Sequence, residues 1–186
     1  RHMKTWRKNK VALIWVGEND QERIFTYAEL YRQVNRCANA LKKLGIEQGD
    51  RVTIYLPKIP EQVIAMLACA RIGAIHSVVY SGFSAPALAN RINDAEAKLV
   101  ITADVGFDRG KTIQLKPVVD EAIKTCPTID HVVVVRREVQ GPALSAPKEI
   151  DWKEWLECER PVCEAAQLDA EAPLYILYTS GTTGKP

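Results

Sequence analysis

The sequence has no Cys-x-x-Cys pair, no block of like charge and no apolar run long enough to cross a bilayer. Its five cysteines, Cys37, Cys69, Cys126, Cys158 and Cys163, are odd in number and widely spaced. They argue against a disulfide framework and against a zinc site, and a reducing cytoplasm is the expected compartment. The 25 basic and 23 acidic residues leave a net charge of +2, without the basic stripe that nucleic-acid binding requires. Mixed, solvated charge is the expected surface. The longest uncharged apolar stretch, VIAMLACA at residues 63–70, ends at Arg71 and falls far short of the ~20 residues of a membrane span. No segment has the layout of a signal peptide, and neither nucleic acid nor membrane is expected as a partner. Internal repeats and low-complexity tracts are also missing. Arg1 stands where a translated chain would carry Met, so a longer parent chain is expected.

What is present suits a folded core. The chain has 186 residues, 47% of them hydrophobic, and a domain of this size hides roughly 70% of its unfolded surface. One domain over residues 1–186 is therefore expected. VALIWV at residues 11–16 reads as a strand, followed by the polar turn GENDQER and a short extended piece at Ile24 and Phe25. Thr26-Tyr-Ala-Glu29 has the form of a capping box. After it, Leu30, Val34, Cys37, Ala38, Leu41 and Leu44 share one helical face, and Gly45 supplies a left-handed stop.

Further elements follow in alternation. RVTIYL at residues 51–56 predicts a strand, and the helix containing VIAMLACA is apolar almost all round, as expected for a helix between a sheet and a second layer. Residues 74–79 and 99–102 predict strands, with a helix between them capped by Ser84 and running through Ala95. A helix over 118–124 and a strand over 131–135 come next. REVQGPALSAPKE is an exposed loop by its prolines and glycine, Asp151 to Glu154 starts a short helix, and residues 174–178 form the last strand. This alternation predicts an α/β fold with a mostly parallel sheet and right-handed crossover helices.

Two stretches invite a chemical reading. The sequence closes on YILYTSGTTGKP, a strand candidate running into hydroxyls, glycines and a lysine. Gly181 and Gly184 permit sharp turns that gather backbone N–H groups, Thr179, Ser180, Thr182 and Thr183 add hydroxyl donors, and Lys185 adds charge. That inventory suits a polyphosphate. A Walker A loop is excluded, because two residues rather than four separate the glycines and Pro186 takes the place of the Mg²⁺-binding hydroxyl. Since proline also disfavours helix at Lys185, a mobile flap is expected; the plain alternative is a solvated Ser/Thr/Gly loop. The second stretch, Gly106-Phe-Asp-Arg-Gly110-Lys111-Thr112, has only three residues between its glycines and is rejected as a P-loop. Arg109 and Lys111 remain as exposed donors for a phosphate. His76 in AIHSVV reads as a core residue, and Trp6, Trp15, Trp152 and Trp155 read as packing anchors.

YTSGTTGKP resembles the phosphate loop of the adenylate-forming superfamily, and FTYAELYRQVNRCANAL, GDRVTIYLP and MLACARIGAI are similar to its earlier landmarks in the same order. GAIHSVVYSGFSAPALANRINDAEAKLVITAD narrows the resemblance to the AMP-forming acetyl-CoA synthetases and their propionyl relatives. The resemblance covers nearly the whole chain and the first part of the family's large domain. It implies a ligase that joins acetate to CoA through acetyl-AMP, with ATP, CoA and Mg²⁺. By the same resemblance Thr179, Ser180, Gly181, Thr182, Thr183, Gly184 and Lys185 would hold the ATP phosphates. Asp108, Arg109, Gly110 and Lys111 would face a phosphate of CoA, with Gly82 nearby. Asp108 departs from the family pattern, which commonly has arginine there, and a carboxylate beside a phosphate is repulsive.

The adenine-binding segments, the acyl pocket and the small carboxyl-terminal domain are expected after Pro186, so the 186 residues alone should hold no catalytic residue and be inactive. Another short-chain acyl-CoA synthetase and a non-catalytic nucleotide-binding or interaction module remain as alternatives.

Overall fold

The computed structural model describes residues 2–18, 21–138, 144–145 and 148–178. After two 3-10 turns the chain forms an antiparallel pair, β1 (Val11–Val16) and β2 (Glu22–Thr26). It continues through α1 (Tyr27–Lys43), β3 (Arg51–Tyr55), α2 (Pro60–Ile72), β4 (Ile75–Val78), α3 (Ala85–Asp94) and β5 (Leu99–Ala103). A second antiparallel pair, β6 (Val105–Asp108) and β7 (Lys111–Gln114), precedes α4 (Lys116–Ile123) and β8 (His131–Val135). The described chain ends through β9 (Glu149–Asp151), α5 (Trp152–Glu157) and β10 (Tyr175–Ile176).

The start of α1 is as the sequence predicts. Thr26 Oγ1 accepts the Glu29 N–H at 3.2 Å while the Glu29 carboxylate accepts the Thr26 N–H at 2.8 Å, which satisfies two donors at the helix start. Val34, Cys37, Ala38 and Leu41 are buried, and Gly45 takes φ 77° beyond the helix end. Pro60 sits in the first turn of α2, where its missing N–H costs nothing. This helix packs on α1 and on β3 and β4, although Leu67 remains exposed. Ser84 precedes α3 without donating or accepting a side-chain cap bond, so the helix start rests on Pro86 and packing.

The main sheet has six strands in the order β10-β4-β3-β5-β8-β9, and every neighbouring pair is parallel. The chain steps from β3 to β4 on one side, then returns across β3 to β5. With right-handed crossovers this reversal places α2 and α3 on opposite faces. The observed packing agrees: α2 lies with α1, and α3 lies with α4. Val52, Ile54, Leu99, Ile101 and Val133 form the centre of the core.

β1 is the strand that VALIWV predicts; it joins only β2, outside the main sheet, and leaves Ile14 and Val16 exposed. Other elements differ from the sequence reading: β9 forms the outer strand of the sheet where the end of a loop and the start of a helix were expected. The stretch rejected as a P-loop is the β6–β7 hairpin. The final strand covers only Tyr175–Ile176 rather than five residues, pairing with β4 at the sheet's edge. All five cysteines are free, with burial pushing the Cys69 thiol up to about 12. Among the described residues no helix is long and apolar enough to cross a membrane.

Candidate functional site

In parallel sheets of this kind, ligand clefts open beyond the carboxyl ends of the strands, where the order reverses. Here the reversal lies between β3 and β5, and a cleft of about 280 Å³ opens there. Its walls come from the segments after β3 (Pro57, Lys58), after β4 (Tyr80, Gly82), after β5 (Phe107, Asp108) and after β8 (Arg137), closed by Trp15 of β1. Each wall is fixed by a specific contact. The buried Tyr55 hydroxyl at the end of β3 shares its proton between the Ser81 and Phe83 carbonyls, at 2.9 and 2.8 Å. The Trp15 indole N–H donates to the Lys58 carbonyl at 2.7 Å.

Asp104, immediately after β5, organises the opposite wall. The residue is 1% exposed. It accepts the N–H groups of Val105 at 2.7 Å, Arg137 at 2.9 Å and Glu138 at 3.1 Å. Its own N–H donates to the Val135 carbonyl, and its carbonyl accepts from Leu115 and Lys116. One buried side chain thus joins the ends of β5 and β8 to the root of the β6–β7 hairpin.

The hairpin turns on Arg109 and Gly110, with φ 51° and 72°, the left-handed pair that a two-residue connection between twisted strands demands. Glycine meets this at no steric cost, whereas arginine does not. The turn is held from outside by Glu18, whose two carboxylate oxygens accept the Arg109 N–H at 2.7 Å and the Gly110 N–H at 3.0 Å. These N–H groups, Gly110's foremost, hold the Glu18 carboxyl below the usual carboxylate range. The folded form is therefore stabilised above the ordinary carboxylate pKa, and the clamp releases as pH falls through the lowered value. Glu18→Gln keeps one acceptor oxygen and loses the charge. It is expected to speed hydrogen exchange at the Arg109 and Gly110 amides about fivefold or more, read by NMR, while exchange in β5 stays unchanged.

Of the residues singled out for CoA, Gly82 and Asp108 line the cleft, while Arg109, Gly110 and Lys111 stand at the exposed hairpin tip beside it. Thr179, Ser180, Gly181, Thr182, Thr183, Gly184 and Lys185 lie outside the described residues. Tyr178, the last described residue, donates its hydroxyl to the Asp94 carboxylate at 2.6 Å. Burial, with that carboxylate, pushes the phenol up to about 12. His76 is buried in β4 beside the Tyr175 ring, and burial lowers its basicity; it lies away from the cleft, as a core histidine should. Trp152 is buried against Trp155. Trp15 packs against the core, as read, and also lines the cleft, whereas Trp6 is exposed and anchors no packing.

Sequence reasoning passed over Glu18, Asp104 and Arg137. Two of them carried a signal: Asp104 closes an apolar strand with a carboxylate, and Arg137 lies two residues beyond another strand's carboxyl end.

The family described as AMP-binding enzyme matches residues 1–186. The chain is 52% identical over 187 aligned residues to the acetyl-coenzyme A synthetase of Methanothrix thermoacetophila, covering 100% of this chain and 28% of the relative. It is 54% identical to that of Gemmatimonas aurantiaca, covering 100% of this chain and 29% of the relative. Among solved structures, the acetoacetyl-CoA synthetase from Streptomyces lividans superposes with a TM-score of 0.87 at 32% identity, over 99% of this chain and 28% of that one. The chain thus spans under a third of the length of these relatives.

Proposed function

Because the chain belongs to the AMP-binding enzyme family, we propose that it is the amino-terminal part of the large domain of an AMP-forming acetyl-CoA synthetase. The observation that carries this reading is identity of 52% and 54% to acetyl-coenzyme A synthetases along the whole chain. In the first half-reaction an acetate oxygen attacks the ATP α-phosphorus, the α–β phosphoanhydride bond breaks, and acetyl-AMP and pyrophosphate result. In the second, the CoA sulfur attacks the acetyl carbonyl, loses its proton and displaces AMP.

Thr179 to Lys185 would surround the β- and γ-phosphates with hydroxyl and N–H donors and one ammonium, spreading the charge that grows on departing pyrophosphate. Such a loop must close for this step and open for release. The cleft at the β3/β5 reversal would take CoA, with Gly82 allowing close backbone approach and Lys111 and Arg109 offering cations at its rim. Mg²⁺ would accompany ATP. Among the described residues no three His, Cys, Asp or Glu side chains gather as metal ligands.

The test is acetate-dependent exchange of labelled pyrophosphate into ATP by a full-length protein carrying this sequence, with the 186-residue chain as the blank. Exchange above the blank that weakens about tenfold in Lys185→Ala supports both the adenylate chemistry and the loop. A folded protein without exchange on acetate, propionate or butyrate overturns the synthetase reading, and ADP as product would mean a kinase or ATPase.

A further inference from the structure

At Asp108 the cleft carries a carboxylate where a phosphate would be met by a cation, and an unclaimed cation lines the same cleft. Arg137 lines the same cleft, half-buried, with its guanidinium 4.5 Å from the centre of the Phe107 ring. Its backbone N–H is fixed by Asp104, so the side chain starts from a rigid point. The two neighbouring arginines are taken: Arg136 pairs with Asp151 at 3.2 Å and Arg23 with Glu61 at 2.7 Å. Among the described residues the Arg137 guanidinium has neither an ion-pair nor a hydrogen-bond partner. Burial draws it down from its ordinary value while the Asp104 and Glu61 charges oppose this, and an arginine remains charged at neutral pH regardless.

The cleft's other charges do not remove this vacancy. Glu18 is engaged by two backbone N–H groups, Asp108 repels an anion, and Lys58 is exposed on the facing wall. A planar cation stacked on an aromatic ring, with its donors unfilled, is pre-organised for an oxyanion that accepts two hydrogen bonds.

We propose that Arg137, backed by Phe107, is an anion-binding residue of this cleft that takes a CoA phosphate in place of the cation Asp108 withholds. The inference rests on the synthetase reading above and deepens it. Arg137 binds the incoming thiol substrate and takes no part in adenylate formation.

The experiment uses a full-length protein carrying this sequence. In Arg137→Gln the KM for CoA is expected to rise about 10- to 100-fold, the range for losing hydrogen bonds to a charged group, while acetate-dependent pyrophosphate exchange, which needs no CoA, stays at wild-type rate. Arg137→Lys restores part of the loss. Dephospho-CoA distinguishes the sources of the phosphate: loss with CoA alone identifies the 3′-phosphate, and equal loss with both identifies the diphosphate. An unchanged KM for CoA overturns the inference alone. A parallel fall in exchange also overturns it, since it would mean a structural role. A wild type with neither exchange nor thioester formation overturns the synthetase reading and this inference together.

Discussion

Asp104→Ala is expected to remove about 3–5 kcal/mol of stability, the largest loss available from any single polar side chain near the cleft. The carboxylate is buried and accepts three backbone N–H groups from two separate segments. Alanine leaves those donors behind. Val105 is itself buried, so its N–H forfeits a partner that water cannot replace, at a cost of about 1–3 kcal/mol. Arg137 and Glu138 are half-exposed, and water repairs part of their loss. Asp104→Asn keeps the shape and one acceptor oxygen but turns an amide N–H₂ toward another donor, so about half of the alanine cost is expected. Guanidinium chloride unfolding measures both, and an unchanged m-value would assign the shift to the native state. A loss below about 1 kcal/mol would mean that water enters freely between the ends of β5 and β8. The same substitution unfastens the backbone of Arg137 and the root of the hairpin, so stability and CoA recognition should fall together at this position, whereas Arg137→Gln should affect only the second.

The parts of this architecture that were legible in the sequence are those whose signal is local. A capping box announces α1 within four residues, and the apolar runs of β3, β5 and β8 need no knowledge of their partners. The order of such elements implies a parallel sheet, and a parallel sheet implies a site at its carboxyl edge. The β6–β7 hairpin escaped because β7 is exposed along its whole length and so carries no apolar alternation. β1 was legible as a strand but not in its placement: it lies outside the main sheet and gives Trp15 to the cleft. The constellation around Asp108 was beyond local reading altogether. Glu18 reaches the hairpin turn across 91 positions, and Arg137 reaches Asp104 across 33. The pairing of β5 with β8 brings Arg137 to Asp104, and the separate β1–β2 pair brings Glu18 to the hairpin turn.

The second large effect is expected on the far side of Asp104, where Lys116 donates its backbone N–H to the Asp104 carbonyl. Its ammonium is buried between the carboxylates of Asp120, one turn along α4, and Glu149 on β9. Glu149 also accepts the Ser145 N–H at 2.7 Å. The trio therefore ties the outermost strand of the sheet to a helix. Lys116→Met fills the space but leaves Glu149 largely buried without its cation, and about 3 kcal/mol should be lost near neutral pH. Adding Glu149→Leu should recover most of that loss, because removing a buried pair altogether costs far less than breaking it. The pH dependence separates charge from packing. Burial pushes the Glu149 carboxyl up, but the Lys116 and Ser145 hydrogen bonds outweigh it and leave the group below its ordinary value. The stabilisation is thus fully present above the unfolded carboxylate pKa and is lost as pH falls through the lowered folded value. Lys116 behaves in the mirror sense: burial draws it down, the Asp120 and Glu149 hydrogen bonds raise it above its ordinary value, and its contribution persists until pH rises through that value. The stability gap between wild type and Lys116→Met should accordingly narrow between about pH 7 and about pH 3, as Glu149 becomes protonated in both proteins. Denaturant unfolding at the two pH values decides it: a gap that stays constant would mean that Lys116 stabilises this edge by packing its aliphatic stem rather than through its charge.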